Sequence, residues 1–256
     1  MRGGKALLLV AALLGMGGCS AFFDTNLYSA FAPAPTPKAS DYEGTGGLDR
    51  LAADLGSDAV VKALSGDPTT TAAIQKYLAD TYGVLTGPLS TADAQRAATL
   101  YSDLALKTSG GEEVVNNAVQ AVQAGATAGQ GVKDILQGII PSDVLADSTA
   151  FSRMMLAMID ADNAYVAFGN SIPPVPSGVD MGDVAQKALT AHVASFVVAS
   201  ISGHVGSSQA IPQIYDVLTD QPNSISGYSV GDPYASPPTW LVNIVHAGLP
   251  SGLRPF

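Results

Sequence analysis

The chain has 256 residues, 47% of them hydrophobic and only 13% charged, which excludes an intrinsically disordered protein. Its net charge of −10 excludes non-specific nucleic-acid binding. A single cysteine excludes an internal disulfide and a cysteine-rich zinc site.

Arg2 and Lys5 open the chain with a short basic stretch, and the apolar run from Ala6 to Leu14 follows. A bilayer crossing needs about 20 apolar residues. The shorter run therefore predicts a signal peptide over residues 1–18, removed on maturation. Met16-Gly17-Gly18-Cys19 then sets small residues directly before the only cysteine. This pattern resembles the lipobox of bacterial lipoproteins, with Met16 where that family usually carries leucine. The resemblance implies a lipidated Cys19 as the first mature residue, with acyl chains such as palmitate as the membrane anchor. Ser20, in place of aspartate, implies the outer membrane with the body facing the periplasm. Maturation removes Arg2 and Lys5, so the mature body is more acidic still and anionic lipid repels it. Attachment then depends on the acyl chains alone.

Residues 19–47 read as the anchor and a flexible tether. Ala32-Pro33-Ala34-Pro35-Thr36-Pro37 is a stiff polyproline-type run, and Glu43-Gly44-Thr45-Gly46-Gly47 a flexible one. Phe22, Phe23, Leu27, Tyr28 and Phe31 precede the prolines and suit either the lipid interface or the surface of the body.

From Leu48 to Phe256 helix signals dominate and alternating strand patterns are nearly absent, which predicts an all-α domain of about seven to eight helices. Asp67-Pro68 is an N-cap followed by proline at the first helical position, opening a helix to about Tyr82 with Gly83 as its stop. Ser90 with Asp93 opens the next, to about Lys107. Gly110 and Gly111 separate it from a helix ending near Ala124. Further helices are expected at 131–140, from Ser142 to about Phe168, from Asp180 to about Ser202, at 211–219 and at 238–247. Asp58–Lys62, Asp103–Lys107 and Asp183–Lys187 are acid-before-base pairs at i,i+4, and each supports a helix by a few tenths of a kcal/mol. The stretch Ala185–Ile201 is apolar on several faces and should be central and buried. Tetratricopeptide spacing of Trp, Leu-Gly and Tyr is not met. Residues 221–238, rich in Pro, Gly, Ser and Tyr, read as a long loop.

Few residues suggest chemistry. Gly227-Tyr228-Ser229-Val230-Gly231 matches the nucleophile-elbow string, but its proline-rich flanks do not suit the strand–turn–helix that a hydrolase requires. His192, His204 and His246 form no zinc spacing. His192 reads as a core histidine bonded to a carbonyl or to a hydroxyl such as that of Thr190, and His204 as a helix-end residue. Asp160-Ala161-Asp162-Asn163 lacks the glycine of a calcium loop and reads as a solvated helix face. Only Glu43, Glu112 and Glu113 are glutamates, few for a paired-glutamate glycosidase. Phe256 follows a proline and lacks the strand alternation of an outer-membrane barrel terminus.

The sequence therefore predicts a non-enzymatic envelope lipoprotein, an adaptor or accessory subunit held to the membrane by lipid. It predicts an envelope protein partner, no nucleic acid and no cofactor. Two alternatives remain. One is a small-molecule or lipid-binding pocket lined by Met154, Met155, Met158, Met181 and His192. The other is a hydrolase using Ser229.

Overall fold

A computed structural model describes residues 36–123, 132–221 and 233–256. Cys19, the aromatic residues from Phe22 to Phe31, and Ser229 lie outside the described residues. The described residues form eleven α-helices and two 3₁₀ turns, with no strand.

The body begins before Leu48. A 3₁₀ turn at Ala39–Tyr42 buries the Tyr42 ring completely, and its hydroxyl donates to Asp54 Oδ2 at 2.9 Å. The glycines that follow, expected to be flexible, make a tight turn instead. Gly44 and Gly46 have positive φ, and a Cβ on Gly47 would lie 1.8 Å from the Tyr42 carbonyl oxygen. The cause is burial of Tyr42, which pins the turn to the helix after it.

Three helices account for the excess over the expected count. Helices α1 (Gly47–Leu55) and α2 (Asp58–Ser65) divide the first stretch, parted by the turn at Gly56-Ser57. Then come α3 (Pro68–Tyr82), α4 (Ala92–Ser109), α5 (Gly111–Gln123) and α6 (Val132–Ile139). The helix expected from Ser142 to Phe168 is two, α7 (Ser142–Leu145) and α8 (Ser148–Gly169). The Asp147 carboxylate accepts the Thr149 and Ala150 N–H groups, so a fresh N-cap interrupts the run. Helices α9 (Met181–Val205), α10 (Ser207–Leu218) and α11 (Thr239–Gly248) complete the body. Helix α10 starts earlier than expected and runs through Pro212.

Local chemistry sets most helix ends. Asp67 accepts from the Thr70 N–H and Asp180 from those of Gly182 and Asp183. Gly83 closes α3 and Gly110 closes α4 in the left-handed region that glycine enters without strain. Thr91, one residue after the expected Ser90, caps α4 by accepting the Ala94 N–H.

Helices α4, α8 and α9 form the centre, with α4 against α8 the most extensive contact and α9 against α8, α10 and α11 next. Ala185, Ala188, Ala191 and Ala194 of α9 are buried at successive helical turns, and their small size brings neighbouring helices close. The expectation that α9 is wholly buried is only half met. By length and composition it could cross a membrane, yet only 28% of its most apolar window is buried. Its alanine face packs inward, while Val193, Phe196 and Val198 are half-buried. The most buried large side chains of this region come instead from α8: Phe151, Met154, Met158, Tyr165 and Phe168.

Candidate functional site

The strongest concentration of charge lies where the start of α9 meets α4 and α5. Lys187 is 5% exposed. Its ammonium donates to Asp103 Oδ1 at 2.7 Å and Asp183 Oδ2 at 2.6 Å, with Glu112 Oε1 at 4.0 Å. Lys107 pairs with Glu112 at 3.1 Å, and Arg96 with Asp49 at 2.5 Å. The group faces a cleft of about 390 Å³, whose walls include Arg96, Lys107, Glu112 and Asp180. Such a volume falls in the range of small-molecule sites.

Desolvation pushes the Lys187 pKa down, but the attraction and hydrogen bonds of Asp103 and Asp183 together outweigh it and hold the group above the ordinary lysine value. Burial pushes the Asp103 carboxyl up, and Lys187 pulls it back. An ammonium held this way stays protonated and is no nucleophile. Each cation in the wall already meets a carboxylate, so the arrangement ties α4, α5 and α9 together rather than activating a reactive group. The Asp183–Lys187 pair was expected from spacing. The Asp103–Lys107 pair was not realised, because Asp103 turns to Lys187 across the helix interface and Lys107 to Glu112. The available signal was Lys187 itself, a lone cation inside an apolar stretch of helix, which must find a partner when buried.

A second polar group lies between α8, α9 and α11. Asp162 is 6% exposed, and its Oδ1 stands 3.5 Å from His192 Nδ1. The Trp240 ring meets the imidazole edge to face at a centroid distance of 5.4 Å. His192 is half-buried between Asp162 and Trp240, and its Nδ1 makes no hydrogen bond among the described residues, where a carbonyl or hydroxyl partner was expected. The Thr190 hydroxyl donates to the Gln186 carbonyl instead. Asp162 corrects the reading of residues 160–163 as a solvated face. It lies on the same side of α8 as Met158 and Tyr165, one turn away in each direction, and that spacing was legible in the sequence. Asn163 is exposed, and among the described residues no group of three His, Cys, Asp or Glu side chains is placed to hold a metal.

The methionines are divided. Met154, Met155 and Met158 line an apolar cavity of about 40 Å³ with Phe151, Val197 and Ile214. Met181 begins α9 and His192 faces Asp162, so neither belongs to the cavity wall. Small-molecule pockets begin at roughly 300 Å³, so a lipid ligand would have to part α8 and α9. Phe256 packs against Tyr234, with ring centroids 5.9 Å apart.

Burial of tyrosines sets the alkaline limit of the fold. It pushes the hydroxyls of Tyr42, Tyr101 and Tyr165 up, that of Tyr101 to about 12. A raised value in the folded state means that the unfolded chain releases its proton first as pH rises. For Tyr101 the stabilisation is complete below about pH 10 and is lost between 10 and 12. For Tyr101 alone the loss is about 3 kcal/mol. Thermal melting followed by circular dichroism should show Tm falling steeply over that interval, and a Tm unchanged up to pH 12 would contradict this account.

No family model, no curated protein and no solved structure matches this chain.

Proposed function

We propose that this chain is a lipid-anchored bacterial envelope protein that serves, without catalysis of its own, as an adaptor or accessory subunit of an envelope assembly. One observation carries the reading: the only cysteine of the chain follows an apolar run of signal-peptide length and the small residues Gly17 and Gly18. Ser20 favours the outer membrane, with the body in the periplasm. A helical body whose buried cation is fully engaged by carboxylates suits a rigid interaction module.

Cys19→Ser tests the anchor. The substitution should abolish metabolic labelling by palmitate, block removal of residues 1–18, and shift the protein out of the membrane fraction. Unchanged membrane retention and labelling would overturn the lipoprotein reading. The adaptor role is tested by brief in-cell cross-linking of the lipidated protein and mass spectrometry, where a stoichiometric envelope neighbour is expected.

A further inference from the structure

The outward side of α8 carries a pattern that the cleft and the Asp162–His192 pair leave unused. Arg153, Leu156, Ala157 and Asp160 lie on one stripe of the helix and together form one wall of a hollow of about 180 Å³. Its floor and far side come from Leu64, Pro68 and Thr71 of the α2–α3 segment and from Ala105 and Thr108 of α4. Leu156 is 53% exposed, the highest value among the exposed large hydrophobic residues of the described chain. The Thr71 and Thr108 hydroxyls donate to the Leu64 and Leu104 carbonyls, so they do not call for a polar ligand.

Half of the cations in the described residues form ion pairs, and Arg153, like Lys38, Arg50, Lys62 and Arg254, is not among them. Lys76, Arg96, Lys107, Lys133 and Lys187 all have carboxylate partners. Arg153 and Asp160 take part in none of these ion pairs. Seven residues at 1.5 Å rise separate them by about 10 Å along the helix, too far to pair with each other. Burial pushes the Asp160 carboxyl up, as expected of a carboxylate with no cation beside it.

The order along the stripe is symmetric about its midpoint, which falls between Leu156 and Ala157. An antiparallel second copy of the same helix would set Arg153 opposite Asp160 at one end and Asp160 opposite Arg153 at the other. A self-complementary patch of this kind is what a two-fold interface requires. Ala157 at the centre allows close approach, and the long arginine side chain can reach a carboxylate set back in the hollow. We propose that this face of α8 is a two-fold interface between copies of the chain. In it, Arg153 of each copy pairs with Asp160 of the other, and each Leu156 fills the hollow beside the opposing helix. This proposal does not rest on lipidation.

The test uses the full chain with Cys19→Ser, so that failure of the anchor cannot disturb it. Adding Ala157→Cys places the only thiol next to the two-fold axis, and mild oxidation should yield a disulfide-linked dimer on a non-reducing gel. In sedimentation velocity without that cysteine, Arg153→Glu alone or Asp160→Arg alone should weaken self-association about tenfold, since each sets like charges opposite one another. A mixture of the two single variants should restore it, because the mixed pair is again complementary at both ends. Arg153 is exposed and Asp160 half-buried, and an unchanged Tm in each variant confirms that the fold is intact. A monomer that does not cross-link, a dimer indifferent to both charge reversals, or no recovery in the mixture would overturn the proposal. So would an α8 face that cross-links in cells only to a different protein.

Discussion

Lys187→Met should destabilise the body by about 2–3 kcal/mol, the cost of leaving the half-buried Asp103 carboxylate without its cation. The methionine retains most of the side-chain volume, so the loss is electrostatic rather than a cavity. What remains is Asp103 at the α4–α9 interface with Asp183 close by and no ammonium between them. Urea unfolding followed by circular dichroism would measure the change. The double substitution Lys187→Met/Asp103→Leu should recover most of it, because replacing a buried ion pair by apolar groups of similar size is often neutral. Acid should also narrow the gap between Lys187→Met and the natural protein, since protonating Asp103 removes the unpaired charge. A Lys187→Met variant as stable as the natural protein at neutral pH would show that the pair adds nothing to the fold.

Gly248→Ala should cost about 3 kcal/mol, at the upper end of ordinary overpacking. A Cβ there would lie 1.9 Å from the Met181 carbonyl oxygen and 2.9 Å from the Ala185 Cβ. Backbone blocks the space, so α11 must move away from α9. Gly169 plays the same part at the other end of α11, where a Cβ would lie 2.4 Å from the Trp240 carbonyl oxygen. Asn243 strengthens that contact by donating to the Gly169 carbonyl at 2.9 Å. The single tryptophan of the chain, Trp240, sits in α11, and its fluorescence reports the displacement directly. Gly138→Ala is the control, since a Cβ there meets nothing within 4 Å and alanine favours the helix. A Gly248→Ala protein with natural stability and an unshifted tryptophan spectrum would refute the close approach of α9 and α11.

Much of the all-α architecture was legible before any coordinate. Asp67-Pro68, Gly83, Gly110 and Asp180 each mark a helix end by bonds or backbone freedom confined to a few neighbouring residues. Thr91 replaced Ser90, and Asp147 divided one expected helix in two, because several hydroxyls and carboxylates in such stretches compete for the same free N–H groups. The order in which they win depends on where the apolar face of the following helix must point. The candidate site was less legible. Met154, Met155 and Met158 share a face by spacing alone, whereas Met181 and His192 belong to other contacts, since nothing in spacing relates residues on different helices.

The sequence by itself determined that the body is helical, where most helices start and stop, and that Cys19 follows a signal-like run. Those properties rest on local bonding, periodicity and short motifs. Tertiary structure alone decided that Asp103 takes Lys187 in place of Lys107, that Asp162 turns inward to His192, and that Arg153 and Asp160, beside an exposed Leu156, form no ion pair among the described residues. Each of these depends on the rotation of a helix about its axis and on which neighbour it meets. Close backbone contacts such as Gly248 on Met181 fix that rotation, and they join residues far apart in the chain.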